Sequence, residues 1–357
     1  MKILICIPTL QPAGAERFVT ELAIYISLLG ENVTVVTTNK LDETEFYLKL
    51  KNNNIDVRDV SGSNYFIEFI KIFKLLKEIQ PDIVHSNIGS MLHMLFPTIL
   101  YGKAIHIFTV HSMGYRIFSG IKSKIAKYVF SKNIVKPVAI CDEVRESIYD
   151  TYKLKNGSVF CIYNGVDTKK FTRQPILGKN KISFISTGTL YNIKNHKMII
   201  DAFKKVKNKY ENVDLTIVGD GELRHDLEMQ VAKNGLKESV IFVGKQGQVE
   251  KFLNEADVYL CSSIVEGLPL AVMEAMSMEL PIITTPAGGV VDIVKNNVNG
   301  FIIEHDDINN MANAMIKLIL DDKLRKEMGR KSREIVSKHD IRICAEEYMN
   351  LYKRFKK

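Results

Sequence analysis

The sequence has few cysteines and no long apolar run, and each absence excludes a class of protein. Its five cysteines lie far apart and form no CxxC pair, so we expect neither a disulfide framework nor a zinc knuckle. The longest apolar stretch, residues 88–101, contains His93 and Pro97 and is shorter than the ~20 residues that span a bilayer. The start, MKILICIPTL, is too short in apolar residues for a signal peptide. We therefore expect a cytoplasmic protein with reduced thiols.

Acidic residues are absent between Asp82 and Asp142, although the whole chain carries 41 acidic and 49 basic residues and a net charge of +8. The interval holds only basic charges, at Lys103, Arg116, Lys122, Lys124, Lys127, Lys132 and Lys136. Such a basic face can meet the phosphates of nucleic acid, the phosphates of lipid headgroups, or water. Because no nucleic-acid-binding motif accompanies it, we expect no nucleic-acid partner.

Length and composition indicate two globular domains. The chain of 357 residues is about twice the usual ~150 residues of one domain. Strand and helix patterns alternate through the first half, with strands at 2–7, 32–38, 83–86, 105–110 and 137–140 and helices at 15–29 and 65–79. Repeating β-α units of this kind predict a parallel, doubly wound sheet.

A second β-α series begins at residue 182, after a polar, lysine-rich stretch that we interpret as a linker ending at Lys181. The architecture predicted is α/β, with two Rossmann-like, doubly wound domains that face each other across a cleft. We place the N-terminal domain at 1–170 and the C-terminal domain at 171–340. An amphipathic helix at 341–357 is expected to pack back on the N-terminal domain.

Two common nucleotide-binding motifs are missing. The loop after the first strand, PTLQPAGAER, has a single glycine, and Gly219-Asp220-Gly221 lacks the third glycine of GxGxxG. There is also no GxxxxGK[ST] loop. Nicotinamide and P-loop chemistry are therefore not expected.

The segment around Glu266 carries the strongest chemical pattern. Gly267 and Pro269 open a helix, so Glu266 lies at the helix mouth and Glu274 about one and a half turns into it. Backbone N–H groups of Gly267 and Leu268 are expected to point into the same mouth and to favour an anion. Carboxylates for hydroxyls and amides for phosphate suit a nucleotide-sugar. Taken alone, the pattern also allows a solvated Glu274 and an ordinary loop acid at Glu266.

The stretch EGLPLAVMEAM, at 266–276, resembles the signature of retaining glycosyltransferases with the GT-B fold, specifically glycosyltransferase family 4. Two glutamates with seven residues between them form that signature. Other pieces match the family in the same order over nearly the whole chain, at 13–16, 82–85, 109–111, 164–167 with Phe171, 188–190, 194–196 and 285–289.

The resemblance implies an acceptor-binding domain at 1–170, a nucleotide-sugar-binding domain at 171–340, and roles for individual residues. Glu274 would bind both ribose hydroxyls of the nucleotide, and Glu266 would hold hydroxyls of the donor sugar. Lys194 would pair with the diphosphate, and His111 would lie near the transferred sugar. The catalytic residues expected are thus Glu266, Lys194 and His111, and the donor-binding ones are Glu274, Gly14, Thr189, Gly267, Leu268 and Gly288.

Thr189 departs from the family pattern, which usually has an arginine five residues before the lysine. Without that bidentate donor, Lys194 and the amides around Gly267 and Gly288 would have to stabilise the diphosphate. The resemblance implies no metal ion and no cofactor. It also implies retention of the anomeric configuration, with the leaving phosphate helping to deprotonate the acceptor.

Residues 114–130 interleave cations with aromatic and aliphatic residues, in the half of the chain that binds the acceptor in this architecture. We interpret the segment as an anionic-membrane contact carrying Arg116, Lys122, Lys124 and Lys127. An ordinary amphipathic helix with its lysines in water is the alternative.

The sequence predicts a retaining glycosyltransferase that uses a nucleotide-sugar, UDP-linked on family frequency. Its acceptor would be a lipid-linked sugar or a surface polysaccharide, and its location cytoplasmic or peripheral on the inner face of the cell membrane. A GT-B nucleotide-sugar epimerase and a non-catalytic partner that binds nucleotide-sugar remain open at this point.

Overall fold

The computed structural model describes residues 1–175, 178 and 180–356, which form two compact units. Unit 1 comprises residues 1–165 together with the chain from His339 onward, and unit 2 comprises Val166–Lys338. The sequence placed the boundaries after residues 170 and 340. Residues 176, 177 and 179 of the predicted linker, and Lys357 of the predicted last helix, lie outside the described residues.

Unit 1 contains a parallel sheet of seven strands in the order β3-β2-β1-β4-β5-β6-β7. Its central strands are apolar and buried, as expected for a sheet covered on both sides. The strands are β1 Lys2–Ile7, β2 Asn32–Thr37, β3 Asp56–Asp59, β4 Ile83–Asn87, β5 Ile105–Val110, β6 Val135–Ala139 and β7 Phe160–Cys161. The helices are α1 Gly14–Leu28, α2 Glu45–Asn52, α3 Tyr65–Ile79, α4 Ser90–Tyr101, α5 Gly114–Ile117, α6 Gly120–Ser131, α7 Asp142–Tyr152 and, from the chain end, α15 Ile341–Lys356.

Helices α4 and α6 cover the same face of this sheet. Val84 of β4 packs in one cluster with Met94 of α4, and Phe108 of β5 stacks on Phe130 of α6. Val84 is in register with His106, two residues before Phe108. Because side chains alternate along a strand, Val84 and Phe108 point to the same side.

A buried polar chain fastens α15 to the opposite face. The hydroxyl of Tyr352 lies 2.7 Å from Nδ1 of His85, whose Nε2 lies 2.7 Å from Oγ1 of Thr109. The hydroxyl of Thr109 in turn lies 2.8 Å from the hydroxyl of Tyr348. Burial, reinforced by two neighbouring histidines, lowers the pKa of His85 to about 3, so the ring is neutral and both nitrogens are paired.

Unit 2 contains a parallel sheet of six strands in the order β10-β9-β8-β11-β12-β13. The strands are β8 Ile182–Thr187, β9 Val213–Val218, β10 Val240–Gly244, β11 Val258–Cys261, β12 Ile282–Thr284 and β13 Gly300–Ile302. The helices are α8 His196–Lys207, α9 Arg224–Lys233, α10 Val249–Glu255, α11 Leu270–Ser277, α12 Val290–Ile293, α13 Ile308–Leu320 and α14 Asp322–Val336, with a 3₁₀ turn at Asn192–Lys194.

The start of the predicted linker is held on unit 2. The guanidinium of Arg333 on α14 donates to the carbonyl oxygens of Thr168, Phe171 and Ser277, at 2.9, 2.7 and 2.7 Å. Arg173 donates to the carbonyl oxygen of Ala256 at 2.9 Å. Residues 168–173 therefore run along unit 2.

Tyr352→Phe should destabilise unit 1, because it leaves Nδ1 of the buried His85 without a partner. An unpaired buried polar group costs about 1–3 kcal/mol. Denaturant unfolding should show the transition of unit 1 at lower denaturant. The matched control, Tyr128→Phe, removes a hydroxyl from a side chain that is 59% exposed and should leave the transition in place. Equal midpoints for the two variants would show that the Tyr352 contact does not stabilise the fold.

Candidate active site

The strand order of unit 2 reverses between β8 and β11, which are neighbours in the sheet. In open α/β sheets, ligands bind outside the carboxyl ends of the strands at such a point. The loops that leave these two strands hold Lys194 and Glu266. The topology therefore brings together two residues that the sequence separates by 72 positions.

Lys194 and Glu266 form an ion pair at this edge. Nζ of Lys194 lies 2.5 Å from Oε1 of Glu266, and the hydroxyl of Ser263 donates to the same oxygen at 2.7 Å. The two charged side chains are 26% and 14% exposed. Burial alone would lower the pKa of Lys194, but the charge and hydrogen bond of Glu266 outweigh it and raise the pKa. The lysine is therefore cationic at neutral pH.

Backbone contacts connect the two loops. The hydroxyl of Ser262 donates to the carbonyl oxygens of Lys194 and Asn195, at 2.9 and 2.8 Å. The backbone N–H of Ile264 donates to the carbonyl oxygen of Ile193 at 2.8 Å. These three bonds hold the lysine loop beside the glutamate loop.

Gly288 supports the glutamate loop from the next strand. Its φ is +58°, and a Cβ there would lie 2.1 Å from the carbonyl oxygen of Glu266. The N–H of Gly289 donates to the carbonyl oxygen of Gly267 at 2.6 Å, and the hydroxyl of Thr285 donates to the carbonyl oxygen of Ser263 at 2.6 Å. Only glycine fits at position 288 without displacing the loop.

Glu274 lies inside unit 2, in the middle of α11. It is 4% exposed, so it is not a solvated helix residue, and Glu266 is ion-paired rather than an ordinary loop acid. Tyr259 is close enough to Glu274 to be affected by its charge. Burial raises the pKa of Tyr259, and the charges of Cys261 and Glu274 raise it further. Pro269 is the N-cap residue, directly before the first helical residue of α11.

A small pocket opens beside the ion pair, lined by Thr187, Lys194, His196, Ser263 and Glu266 among others. His196 begins α8 and is 4% exposed. Burial, followed by the charge of Lys194, lowers the pKa of His196 to about 4. The neutral ring of His196 therefore forms part of the pocket wall.

The loop at 188–190 packs on a second glycine loop that the sequence had not connected with the site. A Cβ on Gly219 would lie 1.8 Å from the carbonyl oxygen of Gly188, and one on Gly221 would lie 2.6 Å from that of Leu190. Gly219 and Gly221 thus allow two loops to touch. Thr189, between Gly188 and Leu190, is exposed.

The remaining residues that the sequence predicted for the site, three donor-binding residues and the catalytic candidate His111, divide between the units. Gly267 and Leu268 are buried in unit 2, directly before α11. Gly14 and His111 belong to unit 1: Gly14 is the exposed first residue of α1, and His111 follows β5. Nε2 of His111 lies 2.9 Å from Oδ1 of Asn87, which the sequence analysis had not singled out.

The predicted membrane segment forms α5 and α6 of unit 1, and its four basic residues Arg116, Lys122, Lys124 and Lys127 are all exposed. Within the described chain, no helix has the length and apolar character needed to cross a membrane. Over residues 1–175, 178 and 180–356, no three His, Cys, Asp or Glu side chains are grouped so as to hold a metal ion.

Family models cover nearly the whole chain. The model described as "Glycosyltransferase Family 4" matches residues 12–170, and "Glycosyl transferases group 1" matches residues 167–335. The two parallel sheets with their helices are the two Rossmann-like domains of the GT-B fold. The chain belongs to these glycosyltransferases, which confirms the resemblance, the fold class and the glycosyltransferase activity predicted from the sequence.

Relatives and solved structures agree. The chain is 30% identical over 318 residues to the Escherichia coli UDP-Gal:alpha-D-GlcNAc-diphosphoundecaprenol alpha-1,3-galactosyltransferase, covering 83% of this chain and 81% of that protein. It is 27% identical to a Campylobacter jejuni alpha-1,4-N-acetyl-D-galactosaminyltransferase, over 98% of both chains. The crystal structure of Anabaena HepE with UDP has a TM-score of 0.87 at 18% identity, covering 99% of this chain and all of that one.

Gly288→Ala should displace the loop that carries Glu266, because the added Cβ cannot coexist with the carbonyl oxygen beneath it. The matched control is Gly235→Ala, since Gly235 has a similar positive φ of +70° and nothing within 4 Å of an added Cβ. Both variants carry backbone strain of roughly 1 kcal/mol, but only Gly288→Ala adds a clash. Thermal unfolding and nucleotide titration should show a clearly larger loss for Gly288→Ala. Similar losses in both variants would show that the Cβ added in Gly288→Ala does not displace the Glu266 loop.

Proposed function

We propose that this chain is a retaining glycosyltransferase. It moves a hexosyl or N-acetylhexosaminyl group from a UDP-sugar to a lipid-linked or surface-polysaccharide acceptor, without a metal ion or cofactor. The observation that carries the proposal is the Lys194–Glu266 pair at the reversal point of the unit 2 sheet, with the buried Glu274 in the adjoining helix.

Each of the three residues has a separate task. Lys194 supplies a fixed cation for the diphosphate, and the amides before α11 add partial positive charge. Glu266 accepts hydrogen bonds from hydroxyls of the donor sugar, and Glu274 accepts those of the ribose. In the ligand-free protein Lys194 pairs with Glu266, so the arriving diphosphate competes for a lysine that is already cationic.

The chemistry follows from these tasks. The bond from the anomeric carbon to the diphosphate oxygen breaks, and a bond from that carbon to the acceptor oxygen forms on the same face of the sugar. The acceptor proton passes to an oxygen of the leaving diphosphate. The chain contributes position and charge stabilisation, which are large terms in group transfer.

Support for the substrates comes from relatives. The E. coli relative uses UDP-Gal and an acceptor on diphosphoundecaprenol, and the C. jejuni relative acts on a saccharide linked to PP-undecaprenol. A Staphylococcus aureus relative, 26% identical over 84% of this chain, is a capsular polysaccharide biosynthesis glycosyltransferase. UDP and a polyprenyl diphosphate-linked saccharide are accordingly the proposed donor nucleotide and acceptor class.

The surface of unit 1 supports contact with an anionic membrane. Helix α6 buries Ala126, Val129 and Phe130, yet Ile121 and Tyr128 are 74% and 59% exposed beside its lysines. Helix α4, on the same face of the sheet, has no charged residue and exposes Phe96, Ile99 and Leu100 by 64%, 50% and 62%. An apolar strip beside a basic strip suits a lipid surface.

A panel of nucleotide-sugars, tested by thermal stabilisation, examines the donor. A ligand at 100 times its dissociation constant adds about 2.7 kcal/mol, so UDP-sugars should raise the melting temperature of wild type. Lys194→Ala should lose most of that increase. Stabilisation by GDP-sugars alone would overturn the UDP assignment, and stabilisation by none would overturn nucleotide-sugar binding.

Glu274→Ala should weaken binding of UDP itself by about 10- to 100-fold, because two ribose hydroxyls lose a charged acceptor. Glu266→Gln should not weaken UDP binding, because the carboxylate competes with the diphosphate for Lys194, but it should lower kcat strongly, because its task concerns the sugar. Calorimetric titration of UDP and initial rates measure the two effects. Glu238→Ala, an exposed acid of unit 2, is the control. Unchanged UDP affinity in Glu274→Ala would remove Glu274 from the site, and a normal kcat in Glu266→Gln would remove Glu266.

Replacing Lys122, Lys124 and Lys127 with Gln should reduce co-sedimentation with vesicles that contain phosphatidylglycerol. Added salt should reduce wild-type binding similarly, because exposed charges are screened beyond about 10 Å at 0.1 M ionic strength. Replacing Lys237, Lys245 and Lys251, which are exposed in unit 2, makes the same change in net charge and should have little effect. Membrane contact would be contradicted if wild-type protein did not co-sediment with these vesicles at low salt.

A further inference from the structure

The ends of β4 and β5 in unit 1 hold a hydrogen bond that no task above explains. Asn87, the last residue of β4, is fully buried, and its Oδ1 lies 2.9 Å from Nε2 of His111. A short carboxamide buried at the carboxyl end of a sheet costs free energy unless every polar atom is paired. The other hydrogen-bond partners of Asn87 therefore define how its side-chain amide is oriented.

The amide orientation of Asn87 follows from those partners. Its Nδ2 lies 3.3 Å from the carbonyl oxygen of Cys6 and 3.4 Å from that of His85. Carbonyl oxygens only accept hydrogen bonds, so the NH₂ group must face them and Oδ1 must face His111. The hydroxyl of Ser90, which donates to the carbonyl oxygens of Cys6 and Asn87 at 3.0 and 2.8 Å, holds the surrounding backbone.

This orientation decides which nitrogen of His111 carries a proton. Oδ1 of Asn87 can only accept, so Nε2 of His111 must donate. Burial lowers the pKa of His111 to about 3, and the ring is therefore neutral at physiological pH with a single N–H. Nδ1 is left with a lone pair. The ring of Phe18 meets His111 edge-on, with centroids 5.4 Å apart, and limits its rotation.

The lone pair of Nδ1 is accessible. His111 is only partly buried, and throughout residues 1–175, 178 and 180–356 no side chain or backbone group donates to Nδ1. A neutral, fixed acceptor of this kind suits a hydroxyl group, which can donate. It does not suit a phosphate, which at neutral pH mainly accepts.

We propose that Asn87 is a positioning residue that fixes His111 as its Nε2–H tautomer, so that Nδ1 accepts a hydrogen bond from a hydroxyl of the substrate sugar. The assignment rests on the proposed function and on the place near the transferred sugar that the family resemblance implies for His111. Under this assignment His111 does not act as a general acid. It selects a sugar by the presence of one hydroxyl, and Asn87 sets that selectivity without touching substrate.

The tautomer itself can be measured without activity. Long-range ¹H–¹⁵N spectra of the full-length protein, with the His111 signals assigned from His111→Gln, should show a protonated Nε2 and an unprotonated Nδ1 across pH 6 to 8. Asn87→Leu, similar in size but without an acceptor, should lose that single tautomer. Ser86→Ala removes a hydroxyl on the same strand as Asn87, where it pairs with His106 of the next strand. This variant should leave the His111 signals unchanged. A wild-type Nδ1–H tautomer, or an imidazolium in this range, would overturn the proposal even for an active enzyme.

Kinetics then test the role. Asn87→Leu should lower kcat/KM by about tenfold, the equivalent of one lost hydrogen bond. Asn87→Asp keeps an acceptor but adds a negative charge that favours the imidazolium. It should be active at high pH and lose activity as pH falls through the raised pKa of His111, whereas wild type should show no such limb. If Asn87→Asp does not fold, the wild-type spectra still decide. A correct tautomer with a wild-type rate in a folded Asn87→Leu would also overturn the role, and a correct tautomer in a chain that binds no nucleotide-sugar would instead overturn the proposed function.

Discussion

The ion pair between Lys194 and Glu266 is the interaction on which the candidate site depends. Two opposite charges at a partly buried edge attract more strongly than they would in water, and each prevents the other from being an unpaired buried charge. The hydroxyl of Ser262 fixes the loop of Lys194, and the close packing of Gly288 fixes the loop of Glu266. A diphosphate would therefore enter a site whose cation is already in place and already charged.

Unit 1, in contrast, relies on neutral histidines within β4 and β5 and directly after β5. His85, His106 and His111 have pKa values lowered to about 3 by burial, so they are neutral hydrogen-bonding groups. Their partners are hydroxyls and an amide rather than carboxylates: Thr109 and Tyr352 for His85, Ser86 for His106, and Asn87 for His111. Unit 2 holds a fixed charge pair at the candidate site, whereas the three histidines of unit 1 are neutral, and of these His111 is the partly exposed one.

Several apolar elements could be read from the sequence, whereas edge strand β3 and helix α14 could not. The strands Lys2–Ile7 and Ile105–Val110 and the helix Tyr65–Ile79 lie where the pattern predicted them. Helix α14 is rich in Lys, Arg, Asp and Glu and has few apolar residues, and edge strand β3 reads DVRD, so neither contains an apolar run that would mark it. In the site, the glutamates of EGLPLAVMEAM were recognisable because they are near in sequence. The contacts of Gly288 with Glu266, and of Asn87 with His111, join loops from different strands, and only the folded sheet brings them together.

The measurement that tests the account most directly follows the anomeric carbon through the reaction. Wild-type protein is given a UDP-sugar labelled with ¹³C at the anomeric carbon and a saccharide on a short isoprenyl diphosphate, and the one-bond carbon–proton coupling of the product is compared with that of the donor. The account predicts transfer to the acceptor with the donor's α configuration retained, and no labelled product when the acceptor is omitted. A β-linked product would contradict retention, and an isomerised nucleotide-sugar formed without acceptor would identify the chain as an epimerase instead.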